Sequence, residues 1–171
     1  MHIARFLRDR RGSAAVEFAL VVPIMLVLYY GMVEATQALL VNRRVSFIAT
    51  GVGDLTTQAA QLSKTQLQDI FKISTAVMKP FPTDTLAIRV ASIETDAQGV
   101  PTKKWEEVSK AFSYPVDLTT VTKEPSTAII RAETVYTFNS PLKKLMPNAL
   151  VFKHKMDLKP RAGVPVVLLP N

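Results

Sequence analysis

The sequence predicts an α+β fold, in which one long N-terminal helix and one short helix pack on a roughly four-stranded antiparallel sheet. Three observations predict it. Residues 14–33 form an apolar run with a single charge, Glu17. Beyond it, apolar residues recur at helical spacings of three and four up to residue 62. From residue 86 onward the period becomes two, the signature of strands.

The first element is defined by its length and its charges. Twenty residues from Ala14 to Val33, at about 1.5 Å rise each, reach the ~30 Å of a bilayer core, which makes this segment a credible single membrane span. Arg5, Arg8, Arg10 and Arg11 against Asp9 place the N-terminus in the cytoplasm, and Tyr29 and Tyr30 are positioned as interfacial anchors. Arg43 and Arg44 lie farther out and leave that asymmetry in place. Past the span, Ala38, Val41, Val45, Ile48, Val52, Leu55, Ala59 and Leu62 trace one stripe, so span and stripe read as one helix over residues 13–62. Pro23 removes a backbone donor and predicts a local bend, and Gly51 and Gly53, each about 1 kcal/mol poorer than Ala, mark a place for a kink or an end.

Ser63-Lys64-Thr65-Gln66 has the spacing of a capping box, and Leu67, Ile70, Phe71, Ser74, Val77 and Met78 follow on one face, ending at Pro80-Phe81-Pro82. Leu86, Ile88 and Val90 then alternate with Ala87, Arg89 and Ala91. A turn at Asp96 to Gly99 leads to a hairpin partner spanning Trp105 to Phe112. Ile130, Ala132, Thr134, Tyr136 and Phe138 line a third strand. Leu150, Phe152, His154, Met156 and Leu158 line a fourth, with Lys153, Lys155, Asp157 and Lys159 opposite. The connection from Ser113 to Thr127 is long enough to be a candidate partner surface, and a second loop spans Pro141 to Asn148. The apolar tail Gly163 to Leu169 predicts docking on the domain or on a neighbour.

Composition narrows the chemistry. Without cysteine there is no disulfide, thiolate metal site or cysteine nucleophile. The formal charge is +7, but removing residues 1–12 with their four Arg and one Asp leaves 17 basic against 13 acidic residues, or +4. A solvated basic surface accounts for that excess without a nucleic-acid partner. Of the two histidines, His154 alone lies beyond the N-terminal leader, so no histidine metal cluster forms, and no nucleophile elbow, phosphate loop or His-Glu-x-x-His segment is present. The reading is of a non-enzyme without cofactor or metal. Glu106, Glu107 and Asp54 read as isolated surface acids, and Trp105 as an anchor of the core.

One junction carries more. The basic leader ends at Gly12, before the apolar run rather than after it, which is the reverse of an ordinary secretory signal. Cutting there would leave the hydrophobic segment on the mature chain. Glu17 lies five residues past Gly12, and an acid within a membrane costs up to about 2.5–3.5 kcal/mol, so it calls for a purpose. Arg10-Arg11-Gly12-Ser13 with Glu17-Phe18-Ala19-Leu20 and Pro23 resembles the processing region of TadE-like minor pilins and pseudopilins of the tight-adherence (Tad, Flp-type) type IV pilus system.

That resemblance implies a pilin-like plan: a prepilin leader at 1–12, an N-terminal helix at 13–62 with its transmembrane segment at 14–33, and a periplasmic or extracellular α+β head at 63–171. It implies cleavage by a prepilin peptidase between Gly12 and Ser13, and an assembly role for Glu17, whose carboxylate would pair with a neighbour's new N-terminal amine. The implied partners are other minor pilins, the major Flp-type pilin and the inner-membrane assembly platform. The implied location is the inner membrane, single-pass, with incorporation into the extracellular pilus. Type IVa pilins begin with Phe and are N-methylated, and Ser13 departs from that pattern. In the competing reading the chain is a membrane-anchored binding module, either a type II secretion-like pseudopilin or a tip subunit whose lysines 153, 155 and 159 touch DNA or an acidic surface.

Overall fold

The computed structural model describes residues 12–140 and 149–170. The predicted leader up to Arg11 and the loop Pro141 to Asn148 lie outside them. Helix α1, Ser13–Gln58, runs without interruption through Pro23, Gly51 and Gly53. It ends four residues short of the predicted end, because Gln61–Ser63 forms a short strand, β1, and Leu62 enters the core from that strand instead of from the helix. Helix α2, Lys64–Thr75, starts at the predicted capping box: the Ser63 hydroxyl accepts from the Gln66 amide (3.2 Å) and the Gln66 side chain accepts from the Ser63 amide (2.8 Å). A 3₁₀ turn, Ala76–Met78, continues it. The carbonyls of Val77 and Lys79 accept from the Arg44 guanidinium, so a cation on α1 satisfies the α2 terminus.

Four strands follow: β2 (Ala87–Thr95), β3 (Pro101–Val108), β4 (Ala128–Phe138) and β5 (Leu150–Leu158). They form one antiparallel sheet in the order β3-β2-β4-β5. The hairpin partner begins at Pro101 and stops at Val108, earlier than its predicted span from Trp105 to Phe112. Its opening residues, Thr102 to Lys104, are exposed on an edge, so no apolar alternation announces them. The hairpin turn needs Gly99, which has φ +77°, and a Cβ there would sit 2.3 Å from the Lys123 carbonyl oxygen. The tail forms a sixth strand, β6 (Val167–Leu169), pairing in parallel with β1. The Trp105 indole donates to the Val166 carbonyl (2.8 Å), so the tail docks on the head.

The principal core lies between the helices and one sheet face. Val41, Val45, Ile48 and Val52 of α1 with Leu67 and Phe71 of α2 meet Ile88, Val90, Ile130, Ala132 and Tyr136. Helix and sheet approach most closely at Gly53, where a Cβ would lie 2.7 Å from Leu158 Cδ1 and 3.3 Å from Ala132 Cβ. A side chain at 53 would therefore make Leu158 turn aside and press on Ala132. At Gly51 a Cβ would meet nothing within 4 Å.

Candidate functional site

Helix α1 changes character along its length. Across the span, Val16, Phe18, Leu20, Ile24, Leu28 and Met32 are all exposed. From Glu34 onward one face is buried against the head, but the opposite face stays apolar at Leu39, Leu40 and Phe47. At 100° per residue these fall on the same side as Met25, Tyr29 and Met32, so the apolar side continues past the end of the span, with the exposed Thr36 and Arg43 set among its residues. The described residues contain one helix long and apolar enough to cross a membrane, and it is compatible with a single-pass anchor.

Gly12 stands at the N-cap of α1 with no side-chain cap, and a Cβ there would meet nothing within 4 Å. Ser13 opens the helix. Glu17 is exposed among apolar neighbours and takes part in no ion pair among the described residues. As the fifth helical residue it sits just beyond the first turn, where the helix dipole gives it less support. Gly12, Ser13 and Glu17 thus share one helix start, far along the chain from the lysines of the head.

Lys153, Lys155 and Lys159 lie on the sheet face away from the helices, and the structure gives each a partner in the long connection. Lys153 sits over the Tyr114 ring (4.9 Å), Lys155 donates to the Thr120 hydroxyl (2.8 Å), and Lys159 pairs with Glu124 (2.5 Å). The connection is packed down. Val116 and Val121 join Ala91, Ile93 and Ile129 in a second, smaller core.

Two buried arginines fasten that connection, and sequence reading missed both. Arg89 reads as the outward member of an alternating strand, yet it is 1% exposed. Its Nε donates to Glu133 (2.6 Å), Nη1 to the Tyr114 carbonyl (2.7 Å) and Nη2 to the Pro115 carbonyl (3.3 Å), with Glu106 3.5 Å away. The rings of Phe112 and Tyr114 stand 4.3 and 5.0 Å from the guanidinium. On the next strand Arg131 makes a two-point bond to Asp157 (2.6 Å twice) and donates to the Asp117 carbonyl. The Asp157 bond raises the Arg131 pKa, against the opposing pull of burial. Arg89, Arg131 and Glu133 at adjacent register on β2 and β4 would have been the signal, had both faces of those strands been read as buried. Glu106, read as isolated, pairs with Arg89 and Lys103, Asp54 pairs with Arg161, and Glu107 accepts from Gln68.

Two open pockets flank this framework. One, of about 410 Å³, lies between the connection and β5 and is lined by Tyr114, Asp117, Glu133, Lys153, His154 and Lys155. The Asp117 carboxyl is held below the ordinary Asp range, chiefly by hydrogen bonds from the Thr119 hydroxyl and amide. The other, of about 310 Å³, lies at the end of the head nearest the apolar run, between α1, the Phe81 to Thr85 loop and the end of β4. His154 is half-buried and bonded to Asn42 of α1 (2.7 Å), a packing position.

Residues 12–50 match the family model described as TadE-like protein, which supports a TadE-like protein of the Tad pilus system. No curated protein matches the chain. No solved structure matches it either.

Proposed function

With a TadE-like segment over residues 12–50 as the premise, we infer that the chain is a minor pilin or pseudopilin of a Tad/Flp type IV pilus. In this reading a prepilin peptidase cuts after Gly12 and the mature subunit waits in the inner membrane. It then acts in pilus assembly or at the tip in surface attachment. One observation carries this reading: beyond the span α1 leaves Leu39, Leu40 and Phe47 exposed on the side that the head does not cover, alongside Thr36 and Arg43. A helix serving only as an anchor has no use for apolar residues beyond the bilayer, whereas a helix that packs beside others in a filament does. Glu17 then meets a neighbour's freed amine where apolar surroundings make an unpaired charge costly. The basic-surface alternative draws less support, since each of its three lysines is already engaged.

The test is the intact mass of the protein from membranes, with and without Gly12→Leu. Space around Gly12 is open, so the substitution leaves the fold unchanged and reports on processing. Loss of Met1 to Gly12 that the variant abolishes is the expected outcome. An intact leader in both overturns the prepilin reading.

A further inference from the structure

The head follows the span without a spacer. Glu34, the first residue after Val33, is 2% exposed, and Ala38 is buried one turn later. The direction of the sheet over α1 is also fixed: the Thr134 hydroxyl donates to the Val45 carbonyl (3.1 Å), His154 bonds Asn42, and Leu158 packs at Gly53. The Phe138 end of β4 and the loop beside it therefore face the bilayer.

The 310 Å³ pocket opens at that end, with Gln37 in its wall. Gln37 lies about 6 Å along the helix axis beyond Val33. A headgroup layer is about 5–7 Å thick on each side of the hydrocarbon core, so the pocket stands where the outermost headgroup atoms are found. Its lining suits a primary ammonium. Asp84 supplies a carboxylate and forms no ion pair among the described residues, while the Gln37 and Asn139 amides supply carbonyl acceptors. Tyr136 adds aromatic surface, while the Phe81 ring already has the Arg44 guanidinium over it (5.5 Å). The loop carrying Asp84 is fixed, since Lys110 donates to the Thr83 and Asp84 carbonyls, the Tyr136 hydroxyl to the Pro82 carbonyl (3.0 Å), and the Thr85 hydroxyl to the Thr137 carbonyl (2.8 Å).

We propose that this pocket holds the amine of a phosphatidylethanolamine headgroup and seats the head on the outer face of the membrane. A choline headgroup has no N–H to give the carboxylate and amides, so ethanolamine is the preferred lipid. The proposal rests on the reading of residues 14–33 as a span. The experiment places a photoreactive benzoylphenylalanine at Pro82, an exposed position on the rim whose carbonyl is retained, or at Leu28 within the span. The full chain is reconstituted in phosphatidylcholine vesicles with or without phosphatidylethanolamine.

The expected result is a phosphatidylethanolamine adduct at position 82 that falls about fivefold or more in Asp84→Asn, with adducts at 28 from both lipids. Unchanged Trp105 fluorescence in Asp84→Asn shows that the head is intact. Adducts at 28 but none at 82, or adducts at 82 that are indifferent to lipid type and to Asp84→Asn, overturn the pocket assignment and leave the span in place. Adducts at neither position overturn both.

Discussion

The two faces of the sheet are covered by different means. On one face α1 and α2 satisfy nearly all of their own backbone groups, so apolar side chains suffice to hold them, and the core there is Val, Ile, Leu, Phe and Ala. On the other face the cover is chain without regular structure over residues 109–127, which lacks the repeating backbone hydrogen bonds of a helix or strand. The sheet supplies donors from within: Arg89 takes the carbonyls of Tyr114 and Pro115, Arg131 takes that of Asp117, and Glu133 and Asp157 balance the charges. An irregular layer can be packed on a sheet if the strands beneath carry the hydrogen bonds it lacks.

The sharpest way to break this comparison is Arg89→Met. It strands Glu133 in a buried site, and a cost of about 3–5 kcal/mol is expected in urea unfolding of the full chain in micelles. Hydrogen exchange should rise across residues 109–127, and Arg89→Met with Glu133→Leu should recover much of the loss. On the helix face the corresponding stress is steric. Gly53→Val should cost about 1–3 kcal/mol by crowding Leu158 and Ala132, while Gly51→Ala should gain up to about 1 kcal/mol in the same assay. At the rim of the loop-covered face, Lys159→Ala removes an exposed pair with Glu124 and should cost less than about 1 kcal/mol. The smallest effect belongs to Asp117. Its carboxyl is held low in the folded chain, so its contribution is present above the ordinary Asp range and is lost as pH falls through the depressed value. The Thr119 amide resonance should titrate below the ordinary Asp range, and Asp117→Asn should abolish that step.

The helix-facing half of the molecule was legible in the sequence because it obeys periodicity. The α1 stripe from Ala38 to Val52, the Ser63 capping box and the helix-facing set Ile130 to Phe138 of β4 are local patterns that the fold preserves, whereas Leu55 of the predicted stripe is exposed. The other half was not legible. Arg89 and Arg131 occupy the outward positions of alternating strands, where a charge ordinarily means solvent, and nothing local says that the connection, 25 residues from Arg89 at Tyr114 and 14 from Arg131 at Asp117, will cover them. The β1–β6 pair joins segments at opposite ends of the head through three residues each, too short to carry a strand pattern. Of the candidate site, the Gly12 and Glu17 junction rests on linear spacing and could be read directly. The clamped connection and the pocket lined by Asp84 depend on tertiary approach and could not.

Helix α1 passes from the span into the head as one piece, with Pro23 inside the span and no break between Val33 and Ala38. Mechanically this is a push rod with its load fixed to the shaft. A force applied along the axis to residues 13–33 reaches the head without first taking up slack in a tether, and a rotation of the helix turns the head through the same angle. Any machine that grips the N-terminal half therefore also sets the height and bearing of the half that carries the head.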